Sequence, residues 1–193
     1  MAISALRGPI RQRPPAFSAI SIGGQRLYAM ARRGELVTAP ERDVTIHALS
    51  LAAWDPPRLT LEVYCSKGTY VRALARDLGR NLGCFGYLAG LRRTASGSFT
   101  LDAATTLEQL ESAGEEQCAS YLLPPRAGVA HLPAVTIDSE EVERVRRGQP
   151  LHRLSLHAGP VALIDVDGTL LAIARSGAGV LQPEKVLLPP AQP

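Results

Sequence analysis

The sequence predicts an α+β fold that ends in a small β-rich domain, and three observations lead to this prediction. Two strand-like segments, 43–54 and 58–66, are rich in β-branched residues and flank Asp55-Pro56-Pro57, which favours a hairpin. An amphipathic helical segment follows from Thr69 to Leu82. After residue 133, short apolar segments separated by Gly or Pro predict several strands around one helix.

Length and composition allow one sizeable domain or two small ones, since 46% of the 193 residues are hydrophobic. We predict domains at 1–130 and 131–193. Residues 1–100 hold 14 basic and 6 acidic side chains, whereas residues 101–193 hold 7 and 12. This asymmetry fits either a basic surface facing a polyanion or a solvated arginine-rich face.

Cysteine, histidine and apolar patterns argue against several other classes. The three cysteines and four histidines show no metal-ligand spacing, so we expect no metal and no disulfide framework. No apolar run is long enough for a signal peptide core or a membrane span, so we expect a cytoplasmic protein without membrane association.

The first forty residues are predicted to begin extended and then to turn. Pro9, Pro14 and Pro15 disfavour a helix, and Gly23-Gly24 favours a turn. A short helix is expected over Arg26 to Arg33 and should end at Gly34.

The helix of residues 69–82 should begin at Thr69 as its N-cap and end at Gly83. Its apolar stripe consists of Val71, Leu74, Ala75, Leu78 and Leu82.

The remaining elements follow from local composition. Residues 84–101 are predicted to form a strand that ends near Arg92-Arg93. Residues 105–125 are predicted to form two short helices, 124–133 a proline-rich linker, and 138–148 a further helix.

Residues 165–170 read DVDGTL, which allows two interpretations. An apolar run ending in Asp-x-Asp-Gly-Thr resembles the first motif of haloacid-dehalogenase-type phosphatases, whose first Asp attacks phosphorus. That site also needs a later Lys and an acidic pair on parallel strands, which require long crossovers. After Leu170 the sequence offers one Glu, one Lys and no acidic pair. We therefore reject the phosphatase and interpret Asp167-Gly168 as the type I′ turn of a hairpin.

The most informative stretch for chemistry is EVYCSKGTYVRALARDLG, residues 62–79. It places Lys67, Tyr70 and Arg72 at a strand-to-helix junction, where helix N–H groups attract anions. Arg76 and Arg80 continue a basic stripe with a spacing of four residues. From these residues alone, a packed tyrosine, a surface ion-pair partner and a solvated basic face are favoured over a functional junction.

Three segments together resemble the TruB family of bacterial tRNA pseudouridine synthases. They are RGPIRQRPPAFSAISIGGQRLYAMARRGE, KGTYVRALARDLG and YLAGLRRTASGSF, in the family's order and spacing. The resemblance implies a pseudouridine synthase fold with a mixed or antiparallel sheet, followed by a small RNA-binding PUA domain. It also implies a thumb-like insertion at about residues 8–40 that folds over RNA.

The resemblance assigns roles to individual residues. Tyr70 matches the pocket tyrosine that stacks on the target base, and Arg72 matches the arginine that pairs with the catalytic aspartate. Leu91 matches an apolar residue of the uracil pocket, while Phe17 and Tyr28 are expected to pack. The expected RNA-binding residues are Arg11, Arg13, Arg26, Arg32, Arg33, Lys67, Arg76, Arg92 and Arg93.

The implied reaction isomerises the T-loop uridine at position 55 of tRNA after the base flips out, with no cofactor and no metal. The implied partners are the tRNA T-arm and acceptor stem, and we expect a monomer. The family's catalytic aspartate lies in a GTLDP-like motif that the 193 residues do not contain. We therefore expect the carboxyl-terminal part of a synthase that is inactive alone. The alternative is a non-catalytic RNA-binding fragment.

Overall fold

The computed structural model describes residues 2–153 and 157–188. The chain divides into two compact units, Met1–Arg92 and Arg93–Pro193. Within the described ranges, no helix combines the length and hydrophobicity needed to cross a bilayer.

The first unit is built on a three-stranded antiparallel sheet. Its strand order is β1-β4-β5, and β4 and β5 form a hairpin joined by Pro56-Pro57, which confirms the predicted connection. In the β1–β4 ladder, Gln12 lies directly opposite Arg42. The elements are β1 (Gly8–Gln12), β2 (Ser21–Ile22), β3 (Gln25–Arg26), α1 (Leu27–Arg32), β4 (Arg42–Asp55), β5 (Arg58–Cys65) and α2 (Val71–Asn81).

The two glycines between β2 and β3 form the predicted turn. Gly23 and Gly24 have φ angles of +57° and +80°, which side-chain-bearing residues rarely adopt. The following helix α1 ends as expected near Gly34, because the Glu35 N–H donates to the Met30 carbonyl oxygen at 3.2 Å.

The core of the first unit lies between this sheet and α2. Alternate side chains of β5 are partly buried against it, as expected for a sheet with one covered face. The predicted helix stripe is confirmed in its centre, although Leu82 is 53% exposed and lies beyond the last helical residue. The buried cluster consists of Leu6, Ile46, Leu49, Leu74 and Leu78.

The predicted N-cap at Thr69 is wrong. The cap position is Tyr70, which makes no side-chain capping bond. The Thr69 hydroxyl instead donates to the Ser66 carbonyl oxygen at 2.9 Å and closes the turn between β5 and α2.

The predicted strand over residues 84–101 is also wrong. Residues 84–94 contain no strand, and the only strands in this stretch are the short pair β6 (Ala95–Ser96) and β7 (Phe99–Thr100). The physical reason is that residues 84–94 pair with no strand, so the backbone groups of a strand there would have no partners. The segment is mostly exposed and crosses α2 closely at Gly86, where a Cβ on Gly79 would lie 2.8 Å from Gly86 Cα.

The second unit contains a five-stranded sheet in the order β8-β10-β11-β12-β9. Strand β10 is parallel to β8 and antiparallel to β11, and the predicted β-rich character of this region is confirmed. Its strands are β8 (Ala134–Thr136), β9 (Leu151–His152), β10 (Gly159–Ile164), β11 (Leu170–Gly177) and β12 (Val180–Val186). Its buried core consists of Ile137, Val145, Leu151, Val161, Leu163, Leu171, Ala172, Ala174 and Leu181.

The helices of the second unit follow most of the sequence predictions. The two short helices are α3 (Leu107–Ser112) and α4 (Glu115–Ser120), and α6 (Ser139–Arg146) begins with a capping box between Asp138 and Glu141. The segment predicted as a linker contains a further single turn, α5 (Pro125–Gly128). Proline at the first helical position favours this turn because its φ is already helical.

The DVDGTL motif joins β10 to β11, so the predicted hairpin is confirmed. The predicted type I′ turn is wrong. This turn needs a positive φ at both central residues, whereas Gly168 has a φ of +82° and Asp167 does not have a positive φ. The Asp165 carboxylate accepts the N–H groups of Asp167 at 3.0 Å and Thr169 at 2.8 Å. This Asp-centred loop is longer than a two-residue turn and is held by the Asp165 side chain.

The crossing at Gly79 makes a testable prediction about the stability of the first unit. Gly79→Ala should lower the free energy of unfolding by about 2 kcal/mol, because the added methyl meets backbone atoms that cannot rotate away. Chemical denaturation would measure the change. Gly90→Ala is the control, since nothing lies within 4 Å of its Cβ position, and equal effects of both changes would contradict the prediction.

The hairpin makes a second prediction that separates its two aspartates. Asp165→Ala should cost about 1 kcal/mol of stability, because two backbone N–H groups lose their acceptor. Asp167→Ala should change stability by less than about 0.5 kcal/mol, as exposed substitutions usually do. A larger loss for Asp167→Ala than for Asp165→Ala in thermal unfolding would show that the turn is held differently.

Candidate functional site

The candidate site lies where β5 passes into α2. The Ser66 N–H donates to the Thr45 carbonyl oxygen at 2.8 Å, and the Thr45 N–H donates to Ser66 Oγ at 3.0 Å. Gly68 then turns the chain with a φ of +83°. These bonds connect the junction to β4. They therefore fix the position of Tyr70 and Arg72 at the start of α2.

Tyr70 is half-buried and is contacted by two residues of the sheet. Its backbone N–H donates to Gln12 Oε1 at 2.8 Å, and Arg42 Cζ lies 5.6 Å from the centre of its ring. Gln12 has no exposed surface, whereas Arg42 is half-buried. The sequence pattern does not indicate either residue. A single Gln in an extended Pro- and Arg-rich segment is a weak signal, and their pairing depends on a ladder register that sequence does not give.

Arg72 is brought against the segment between β1 and β2. Its guanidinium donates to the Phe17 carbonyl oxygen at 2.9 Å. The Phe17 side chain is 56% exposed, and Tyr28 is 41% exposed. Arg72 therefore connects the start of α2 to the segment that the sequence analysis assigned to a thumb-like insertion.

Two of the expected RNA-binding arginines share one carboxylate. Arg11 lies 3.2 Å and Arg13 lies 2.8 Å from the oxygens of Glu41. Both arginine side chains are more than half exposed. Exposed ion pairs of this kind contribute about 0–1 kcal/mol, so a stronger anion can replace the carboxylate.

The arginines around α1 are also exposed and are held locally. Arg33 pairs with Glu35 at 2.7 Å and donates to Gln25, while Arg32 lies 5.6 Å from the centre of the Tyr28 ring. Arg26 donates to the Ala19 carbonyl oxygen.

Arg76 differs from the other candidate RNA-binding residues because its guanidinium bonds both a carboxylate and a backbone carbonyl oxygen. It bonds both carboxylate oxygens of Asp77, at 2.8 and 3.0 Å, and the Arg13 carbonyl oxygen at 2.9 Å. Lys67 is exposed at the turn before α2.

The remaining candidates follow α2. Leu91 is 63% exposed and lies outside the core cluster of the first unit, and Arg92 is exposed beside it. Arg93 is exposed in the second unit.

Two concave surfaces, of about 430 and 300 Å³, lie in the second unit on either side of the DVDGTL hairpin tip. Neither is lined by a candidate residue. Within the described ranges, no group of three or more His, Cys, Asp or Glu side chains is arranged to hold a metal ion.

Comparison with solved structures defines the class of fold. The chain superimposes on a chain of the crystal structure of a Cbf5-Nop10-Gar1 complex with a TM-score of 0.74 and 23% identity, covering 99% of this chain and 63% of that chain. A chain of an H/ACA RNP bound to a substrate RNA containing 2′-deoxyuridine gives a TM-score of 0.72 with 21% identity, covering 97% and 60%. The fold is the α+β pseudouridine synthase fold, as the sequence predicted.

Three family models match consecutive parts of the chain. Residues 1–71 match "TruB family pseudouridylate synthase (N terminal domain)", residues 72–129 match "tRNA pseudouridylate synthase B C-terminal domain", and residues 132–188 match "tRNA Pseudouridine synthase II, C terminal". The chain belongs to the TruB family.

Relatives named tRNA pseudouridine synthase B agree with this assignment. The protein of Xanthomonas campestris pv. campestris (strain B100) is 41% identical over 188 residues, which cover 96% of this chain and 61% of the relative. That of Parasynechococcus marenigrum (strain WH8102) is 43% identical over 192 residues, covering 96% and 63%. The chain thus spans about three-fifths of the length of these relatives.

Proposed function

We propose that this chain forms part of the active site and of the RNA-binding surface of a tRNA pseudouridine synthase that converts the T-loop uridine at position 55. The observation that carries the proposal is the junction at the start of α2, where Tyr70 and Arg72 are held between the sheet and an arginine-rich segment. The two relatives are named tRNA pseudouridine synthase B, and these names support pseudouridine synthesis on tRNA as the proposed reaction.

The proposed chemistry moves uracil from an N1 to a C5 attachment on a base that has left the stack. Tyr70 stacks on this base, and Leu91 contributes an apolar wall to its pocket. Arg72 anchors the catalytic carboxylate. A guanidinium has five N–H donors, and the bond to the Phe17 carbonyl oxygen uses one of its nitrogens, so the planar fork retains donors for a carboxylate.

The proposed RNA-binding surface uses arginines and one lysine to contact phosphates. Residues 8–40 form the thumb-like insertion, and residues 131–193 form a PUA-like domain that contacts the acceptor stem. Folded RNA would be recognised mostly by its shape and backbone, which suits a surface of exposed basic side chains. We further propose a monomer that works in the cytoplasm without a cofactor.

A non-catalytic RNA-binding role is the second candidate. It is supported by the exposed arginines that pair with surface carboxylates, since phosphate binding needs no catalytic aspartate. In either case we propose that the chain alone binds tRNA weakly and does not turn it over.

Supplying a GTLDP-type segment from a relative distinguishes the two functions. The chain, combined with the amino-terminal part of the Xanthomonas relative, should release tritium from a T-arm labelled at uridine C5. Arg72→Ala should reduce this rate at least about 100-fold, because the reacting carboxylate loses its charged anchor. Arg58→Ala, an exposed change at the start of β5, is the control. An inactive combined protein, or full activity without Arg72, would reject the catalytic role.

The salt dependence of RNA binding tests the proposed surface without any catalysis. Lys67→Ala should weaken binding of the isolated chain to a T-arm stem-loop and reduce the slope of log K against log salt concentration by about one. Fluorescence titration at several salt concentrations would measure both values. Lys185→Ala, on β12 of the other unit, is a matched control, and an unchanged slope for Lys67→Ala would exclude a phosphate contact.

A further inference from the structure

We propose that Gln12 and Arg42 are positioning residues for Tyr70 in the isomerisation, which rests on the function proposed above. Both come from the sheet and neither is among the residues matched to the family's site. They lie opposite each other in the β1–β4 ladder, at the end of the sheet that meets α2. Together they contact the backbone and the ring of one residue.

The first contact fixes the backbone at the start of α2. The Tyr70 N–H is one of the first N–H groups of the helix, and such groups have no partner within the helix. Gln12 Oε1 accepts it at 2.8 Å across 58 positions of sequence. Since the Tyr70 side chain makes no capping bond, this long-range bond satisfies a backbone donor at the helix start.

The second contact fixes the ring. Arg42 Cζ lies 5.6 Å from the ring centre of Tyr70, within the range of a cation–π interaction. A Cβ placed on Gly68 would lie 3.6 Å from the same guanidinium, so the turn before the helix passes close to Arg42. The tyrosine is thus held from its backbone and from one face.

The burial of these groups is unfavourable for stability alone. Gln12 Nε2 and Arg42 Nε are both buried and have no hydrogen-bond partner in the described structure. Unpaired buried donors cost stability, and an apolar side chain at either position would not carry that cost. Packing alone therefore does not account for these two polar groups, whereas their contacts with Tyr70 fit a role in holding it.

Gln12→Met tests this directly, because it keeps the length of the side chain and removes both the acceptor and the unpaired donor. In the 193-residue chain, amide hydrogen exchange at Tyr70 should become at least tenfold faster, while exchange at Leu74 and Leu78 stays unchanged. The melting temperature should fall only slightly, because a single backbone N–H loses its acceptor. Gln12→Glu keeps an acceptor oxygen and should restore slow exchange at Tyr70. Gln25→Met, the same change at an exposed glutamine of β3, is the control.

In the combined active protein, Gln12→Met and Arg42→Met should each reduce kcat at least tenfold with KM for tRNA changed less than twofold. Arg58→Met is the control for the arginine. Unchanged exchange at Tyr70, or equally faster exchange along all of α2 with a lower melting temperature, would overturn the proposal. A reduction of kcat/KM through KM alone would also overturn it. The exchange measurement shows whether Gln12 holds Tyr70 even if the combined protein is inactive. Failure of the proposed function can therefore be distinguished from failure of this proposal.

Discussion

The packing of α2 against the β1-β4-β5 sheet is the contact on which the candidate site depends. Leu74 and Leu78 bury their side chains with Ile46 and Leu49, and this apolar contact sets the position of the helix. Burying side chains of this size contributes about 1.5–3 kcal/mol each, far more than any exposed ion pair of the unit. Apolar packing therefore holds α2 against the sheet. The polar groups at the start of the helix are not needed for that and can serve other roles.

This division between packing and positioning explains which features sequence could predict. The β4–β5 hairpin, α1 and the centre of α2 follow from local patterns of apolar residues, prolines and glycines, and the structure has them where those patterns indicated. The strand expected over residues 84–101 is absent over 84–94, where the chain pairs with no strand and crosses α2 at Gly79 and Gly86. A close approach of this kind is a tertiary property, and the sequence shows only two glycines.

The same limit applies to the candidate site. Lys67, Tyr70 and Arg72 are neighbours in sequence, so a single motif brings them to one junction. Gln12 and Arg42 approach Tyr70 only through the register of β1 with β4 and the placement of α2 on their sheet. In the hairpin of the second unit, Asp165 and not Asp167 holds the loop, because a register shift between Leu163 and Ile164 removes the two-residue turn that regular pairing would give. The Asp-Gly dipeptide alone does not reveal that shift.

The environments of the basic residues also separate two kinds of arginine. Arg11, Arg13 and Arg33 pair with exposed carboxylates, where an RNA phosphate can replace the partner at little cost. Arg72 and Arg76 instead donate to backbone carbonyl oxygens of Phe17 and Arg13, respectively. A carbonyl oxygen cannot move away without its backbone, so these two bonds join α2 to the arginine-rich segment. Movement of that segment would therefore be transmitted to the helix that carries Tyr70 and Arg72, and in the proposed function binding of RNA is what would cause such movement.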